Sequence, residues 1–147
     1  MTTISYNHKD KQISCDSRLT DNRTIRSDSW RKWYELDGSI NFACGCSSEI
    51  PLFLAEYDWG EKSGHEYQCI VLQVCDDEVF LLCTSEDGIF NKYPIRYDEA
   101  IGSGSNFALS AMDFGKSSSE AVEYAITRDS GSGGKVHTYD IATKQFI

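Results

Sequence analysis

The chain opens on period-two alternation. Thr3-Ile4-Ser5-Tyr6 and Gln12-Ile13-Ser14-Cys15-Asp16 flank the polar triplet Lys9-Asp10-Lys11, which predicts a β-hairpin. Ser17 to Arg26 is polar without a period and predicts a flexible connection. Trp30-Arg31-Lys32-Trp33-Tyr34-Glu35-Leu36 is rich in strand formers; Asp37-Gly38 then supplies a tight turn into Ile40-Asn41-Phe42-Ala43-Cys44, a second hairpin. Ser47 or Ser48 as cap, Pro51 in the first turn and an apolar set from Ile50 to Tyr57 predict one helix within 48–58, ended by the glycines and charges of 59–66. Tyr67 to Cys75 and Glu78 to Cys83 predict a third hairpin around Asp76-Asp77, followed by short extended pieces from Gly88 to Tyr97.

The period then changes to that of a helix. Phe107, Ala108, Ala111 and Met112 mark one helix ending at Gly115, and Ser117-x-x-Glu120 reads as a capping box ahead of Ala121, Val122, Ala125 and Ile126. After Gly131-Ser132-Gly133-Gly134, Lys135 to Ile141 alternates, and Lys144 to Ile147 predicts a closing hairpin partner. Hairpins, segregated helices and a returning strand predict an α+β fold. With 147 residues and no repeat or linker, the expectation is one domain over 1–147.

Composition narrows the classes of function. Fourteen basic against 23 acidic residues leave a formal charge of −9, which argues against a nucleic-acid partner. No apolar run approaches the ~18 residues of a membrane span. The start Met-Thr-Thr-Ile has neither a charged nor an apolar leader region, so the expected compartment is the cytoplasm, where the six cysteines stay reduced. Cys15, Cys69, Cys75 and Cys83 read as small core hydrophobes. Cys44-Gly45-Cys46 has the wrong gap for zinc, and His8, His65 and His137 are scattered, so no metal and no cofactor is expected.

Common catalytic motifs are absent. Gly115-Lys116-Ser117 lacks the P-loop glycine, since Ser110 stands in its place, and no Gly-x-Ser-x-Gly or His-Glu-x-x-His occurs. The N-terminus offers chemistry of another kind. Removal of Met1 from before the small Thr2 exposes a hydroxyl beside an α-amine whose reference pKa of about 7.7–8.0 suits a base near neutrality. Lys32, read as a strand residue sharing a face with Trp30 and Tyr34, is a second candidate. Taken alone, each has an ordinary alternative: any protein that begins Met-Thr, and a strand lysine reaching for solvent.

Five short motifs occur in order: Thr2-Thr3-Ile4; Cys15-Asp16-Ser17-Arg18; Lys32; Ala100-Ile101-Gly102-Ser103-Gly104 before a helix; and Arg128-Asp129-Ser130-Gly131-Ser132-Gly133-Gly134 before a strand. Together they resemble proteasome β subunits and their bacterial relative HslV, which are N-terminal-nucleophile hydrolases, over nearly the whole chain. The resemblance implies a four-layer αββα sandwich. One outer helical layer is reduced here, because only 48–58 stands where the family carries two helices.

The resemblance also implies roles. Thr2 is the nucleophile, Lys32 tunes its proton, Asp16 holds Lys32 charged and oriented, Ser103 lies near the nucleophile, and Asp129 with Ser132 brackets the free amine. Leu19, Trp30, Tyr34, Phe42, Cys44 and Ser48 are the expected substrate-pocket residues. Gly45 aligns with a family glycine, which puts Phe42 where an earlier glycine supplies an oxyanion donor. The implied activity is a threonine-type endopeptidase that cleaves unfolded polypeptide or peptides inside a homo-oligomeric ring, with an ATP-dependent unfoldase as a possible partner. An amidase acting on a small amide and a non-catalytic subunit of the same fold are the alternatives.

Overall fold

Strand pairing follows the predicted hairpins closely in the computed structural model, which describes residues 1–147. The chain folds as two compact units, one of Met1–Lys32 with Arg96–Ile147 and the other of Trp33–Ile95.

In the terminal unit, β1 (Ile4–Asn7) and β2 (Gln12–Cys15) form the opening hairpin, with Ile4 opposite Cys15 and Tyr6 opposite Ile13. β10 (Glu99–Ile101) pairs with β1, and β11 (His137–Asp140) pairs with β2 and carries β12 (Gln145–Phe146) on its far edge. The resulting antiparallel order is β10-β1-β2-β11-β12.

Helices α2 (Ser105–Asp113) and α3 (Ser118–Arg128) pack on this sheet and on each other. Their contact is built from Ala108, Ala111, Met112, Ala121 and Ala125, together with Ala100 of β10. Small side chains let the helix axes approach closely. The predicted capping box is formed: the Ser117 hydroxyl accepts from the Glu120 N–H at 3.2 Å, and the Glu120 carboxylate accepts from the Ser117 N–H at 3.1 Å.

Alternation along β1 and β2 predicts a polar face, and that face lies under α3. Ser5, Ser14 and Thr138 stand in one cross-strand row. Ser5 donates to the Ser118 carbonyl at 2.8 Å, and Ser14 lies 2.8 Å from both the Ser118 and the Thr138 hydroxyl. Burying these hydroxyls is tolerable because each finds a partner; no buried side-chain polar atom is left without one. The alternate positions Ile4, Tyr6, Ile13 and Cys15 are buried as well.

Residues 17–26, predicted as a flexible connection, instead hold a two-stranded hairpin, β3 (Leu19–Asp21) with β4 (Thr24–Ser27). Its side chains are half-buried or exposed, so it carries no apolar period for sequence reading to detect.

The middle unit is a meander in which β5 (Trp33–Leu36), β6 (Ser39–Gly45), β7 (Cys69–Cys75), β8 (Glu78–Thr84) and β9 (Phe90–Ile95) pair in chain order. Asp37-Gly38 turns with positive φ at both residues, 39° and 80°, as a type I′ hairpin requires. The predicted extended pieces after Gly88 are one six-residue strand, and its Pro94 is accommodated because β9 is an edge strand.

Helix α1 spans Ile50–Glu56, with Pro51 in its first turn. Neither Ser47 nor Ser48 caps it; the N-cap is Glu49, which makes no side-chain cap bond. Glu49 is committed elsewhere, accepting from the Gln68 N–H at 2.8 Å and pairing with His65 at 2.7 Å. Ile50 and Phe53 anchor α1 in a cluster with Ala43, Tyr67, Cys69, Val71, Leu82 and Phe90. Phe53 meets the rings of Tyr67 and Phe90 edge-on at 5.5 and 5.7 Å.

All six cysteines are free thiols; Cys15, Cys44 and Cys69 are buried, whereas Cys75 and Cys83, predicted as core residues, are only half-buried. No helix is long and apolar enough to cross a membrane.

Candidate active site

Antiparallel pairing of β1 with β2 sets Thr3 beside Asp16, one step beyond the Ile4–Cys15 pair. The Asp16 N–H donates to the Thr3 carbonyl at 3.1 Å, and the Thr3 N–H returns to Asp16 Oδ1 at 3.0 Å. Asp16 Oδ2 accepts from the N–H groups of Arg18 (3.1 Å) and Gly133 (3.0 Å). A carboxylate with no solvent exposure is therefore satisfied largely by backbone donors.

Lys32 completes this arrangement from a different position than predicted. Strand β5 begins at Trp33, so Lys32 precedes the strand and the facing argument with Trp30 and Tyr34 does not apply. The segment is held instead by the Trp30 N–H donating to the Ser17 carbonyl at 2.8 Å, just past β2. Lys32 is 5% exposed. Its Nζ donates to Thr2 Oγ1 at 2.7 Å and to the Met1 carbonyl at 2.9 Å, and lies 3.4 Å from Asp16 Oδ1. As an ammonium it thus directs its three protons at three oxygens.

The nitrogen of Thr2 faces a second cluster. Its N–H donates to Ser103 Oγ at 3.2 Å; Ser103 donates to Asp129 Oδ2 at 2.6 Å, and Ser132 donates to the same oxygen at 2.7 Å. Asp129 Oδ1 accepts from the Gly131 N–H at 3.2 Å. Burial works to raise the Asp129 carboxyl. The bonds from Ser103, Ser132 and Gly131, with the terminal ammonium, outweigh it and hold the group below the usual carboxylate range.

Glycine makes the close approach possible. At Gly102 φ is +97°, and a Cβ there would stand 2.0 Å from the Thr2 carbonyl oxygen. At Gly104 a Cβ would stand 1.9 Å from Thr3 Oγ1. The Gly-Ser-Gly turn thereby lies flush against the first residues of the chain, and α2 begins directly after it.

Thr2, Asp16, Lys32, Ser103, Asp129 and Ser132 are brought together in the terminal unit. The expected pocket residues are distributed differently. Leu19 is half-buried at the start of β3, and Trp30 is exposed. Tyr34, Phe42, Cys44 and Ser48 belong to the middle unit. Tyr34 packs beside the Phe53 cluster, Phe42 and Cys44 are buried, and Ser48 is exposed with its hydroxyl 3.1 Å from Cys46 Sγ. A cleft of about 500 Å³ lies along α2 and α3, lined by Ser110, Phe114 and Tyr124 among others, and includes none of the six site residues.

Three supporting groups escape sequence reading. Arg18 grips Asp28 through two nitrogens at 2.7 and 3.1 Å and donates to the Ser130 carbonyl at 3.2 Å, bracing the loop that carries Asp129 and Ser132. Cys15 is pushed up to about 12 by burial and by the neighbouring Asp16 charge, with Lys32 opposing, so it stays a neutral thiol beside the lysine. Thr3, with no solvent exposure, is the third, and its hydroxyl lies 2.7 Å from that of Ser132. All three stand inside the motifs that single out Thr2 and Asp16, but their own roles depend on contacts across the fold.

No family model matches the chain, and no curated protein matches it. Among solved structures it is similar to the Thiobacillus denitrificans protein BPH in complex with epoxomicin, with a TM-score of 0.73 and 17% identity over 94% of this chain and 97% of that one. It is also similar to a second structure of Thiobacillus denitrificans BPH, with a TM-score of 0.70 and 17% identity over 94% and 96% of the two chains. The chain shares the fold of these structures.

Proposed function

We propose that this chain is an N-terminal-nucleophile hydrolase of the proteasome β-subunit type, which cleaves peptide bonds with Thr2 once Met1 has been removed. The observation that carries the reading is the 2.7 Å bond from Lys32 Nζ to Thr2 Oγ1, with Asp16 behind the lysine. Support for the proteasome type comes from the neighbouring structure, which is a complex with the proteasome inhibitor epoxomicin.

The residues divide the chemistry between them. Once Met1 and its carbonyl are gone, Lys32 keeps Thr2 Oγ1 and Asp16 Oδ1 as partners, and as an ammonium it lowers the cost of negative charge on Thr2 Oγ1. The proton itself passes to the α-amine that removal of Met1 would free, which Ser103 and Asp129 orient. Oγ1 then attacks the substrate carbonyl, the amine returns the proton to the leaving nitrogen, and an ester to Thr2 remains. Water, deprotonated by the same amine, attacks the ester carbonyl; the acyl–Oγ1 bond breaks, the acid leaves and the proton returns from the amine to Thr2 Oγ1. An oxyanion donor is assigned to the backbone of 42–45 by the family resemblance alone. The same reading extends to a four-layer sandwich, a cytoplasmic ring, the pocket residues named above and an unfoldase partner.

A second reading, a non-catalytic subunit of the same fold, is motivated by Phe42, which stands where the resemblance expects an oxyanion-donor glycine, and by the single helix within 48–58. Intact mass and epoxomicin separate the two. A chain that has lost Met1 and gains one inhibitor mass, with labelling abolished in Thr2→Ala and Lys32→Ala, supports the enzyme. A chain that retains Met1 and stays unlabelled rules it out. Turnover of peptides against small amides then distinguishes peptidase from amidase.

A further inference from the structure

Proton bookkeeping in the amine-side cluster assigns a direction to every hydrogen bond. Ionised Asp129 can only accept, so the single protons of Ser103 and Ser132 go to its Oδ2 at 2.6 and 2.7 Å, the shorter bond winning over the Thr2 carbonyl that lies 3.4 Å from Ser103 Oγ. Ser103 Oγ is then free to accept from the Thr2 N–H. Ser132 Oγ is likewise left as an acceptor, and the hydroxyl 2.7 Å away is that of Thr3. The Thr3 hydroxyl therefore donates to Ser132, Ser132 donates to Asp129, and the chain is polarised toward the carboxylate from end to end.

We infer that Thr3 is a positioning residue for the proposed reaction: its hydroxyl orients Ser132 and so fixes the Asp129 carboxylate that, with Ser103, holds the amine of Thr2. The inference rests on the proposed function for its catalytic meaning, while the hydrogen-bond chain stands on geometry alone. Three further observations support it. Thr3 and Ser132 are 0% and 1% exposed, so water does not substitute for either hydroxyl. Gly104 leaves space for the Thr3 hydroxyl and no more, since a Cβ would fall 1.9 Å from it. Finally, the Thr3 N–H donates to Asp16 Oδ1, which makes this one residue a link between the lysine-side carboxylate and the amine-side carboxylate.

The charged groups facing this chain are the terminal ammonium, Lys32, Asp16 and the Arg18–Asp28 pair, and none of them is altered by changing the Thr3 side chain. Thr3→Val keeps the shape and the backbone bond to Asp16 but removes the donor, whereas Thr3→Ser keeps the donor. The test titrates the Asp129 side-chain carboxyl by carbon-detected NMR in wild type, Thr3→Val and Thr3→Ser, and measures peptide kcat and KM and epoxomicin labelling against pH in the same proteins.

Expected for Thr3→Val are an upward move of the Asp129 titration and a kcat lowered roughly three- to tenfold at unchanged KM, with both restored in Thr3→Ser. The Thr3→Ala and Thr3→Ser pair asks the same question should the valine variant fail to fold. An Asp129 titration that is the same with and without the Thr3 hydroxyl overturns the inference. Because the titration needs no turnover, a wild type that is never labelled removes the proposed function while the titration still decides the role of Thr3.

Discussion

The ammonium of Lys32 lies 3.4 Å from the carboxylate of Asp16, with the two side chains 5% and 0% exposed. The pair is unequal in its support: Asp16 also accepts three backbone N–H bonds, whereas the other oxygens near Lys32 are neutral.

That inequality predicts an order of damage. Asp16→Asn leaves a buried cation without its counter-charge and turns an amide N–H₂ toward backbone donors, which is expected to cost about 3–5 kcal/mol. Lys32→Met leaves the carboxylate its backbone donors and is expected to cost less. Urea unfolding of the two variants checks the order, and equal losses would contradict it.

Gly102→Ala is expected to displace Thr2. The added methyl meets the Thr2 carbonyl oxygen at 2.0 Å from a backbone with φ of +97°, so relaxation must move either the turn or the first residues of the chain. A destabilisation of about 1–3 kcal/mol is expected. Any epoxomicin labelling should fall much further than stability does, because the Ser103 bond to Thr2 is lost with the turn.

The depressed Asp129 carboxyl makes an acid-side contribution to stability. Its folded pKa lies below the ordinary 3.8, so the contribution is present above that value and is lost as pH falls through the lower folded value. Thermal melts from roughly pH 5 down to 2 should show a shallower decline in Asp129→Asn than in wild type. Asp28, Glu49, Glu120 and Asp140 are depressed too, so the decline is reduced rather than abolished.

The serine row under α3 should behave as one unit. Ser14→Ala strands the Ser118 and Thr138 hydroxyls in a dry layer, at an expected cost of about 1–3 kcal/mol. Adding Ser118→Ala should cost less than the sum of the single changes, and a double-mutant cycle by denaturant unfolding measures that coupling.

Cys46 should be the thiol alkylated first. The Ser48 hydroxyl and the N–H groups of Ser48 and Glu49 lower its pKa at an exposed site, while burial pushes Cys15 and Cys69 up to about 12. Peptide mapping after brief iodoacetamide treatment near neutral pH checks the order, and Cys46→Ser should remove the fast phase.

Sequence reading succeeded where a structure is local and failed where it depends on a partner far along the chain. The Asp37-Gly38 turn and the Ser117–Glu120 box were legible because neighbouring backbone alone demands those residue types. The hairpin at 19–27 was not, since exposed strands carry no apolar period. Ser47 and Ser48 look like caps, and nothing local reveals that Glu49 takes the N-cap position while its carboxylate holds Gln68 and His65. Lys32 was singled out by motif order, but its placement on a strand took the strand to begin at Trp30, three residues before β5 starts, which voids an argument from alternating faces.

By itself the sequence marked Gly102-Ser103-Gly104, Asp16 and the 128–134 loop through the order of its motifs, because each needs particular side chains or none. Tertiary structure alone decided that these groups meet. Ser103 reaches Thr2 across 101 residues and Thr3 reaches Ser132 across 129. Those distances along the chain are closed by the register of β1 against β2 and β10 and by the lodging of α3 on a face of small hydroxyl side chains. Register and packing are properties of paired surfaces, so no single stretch of sequence contains them.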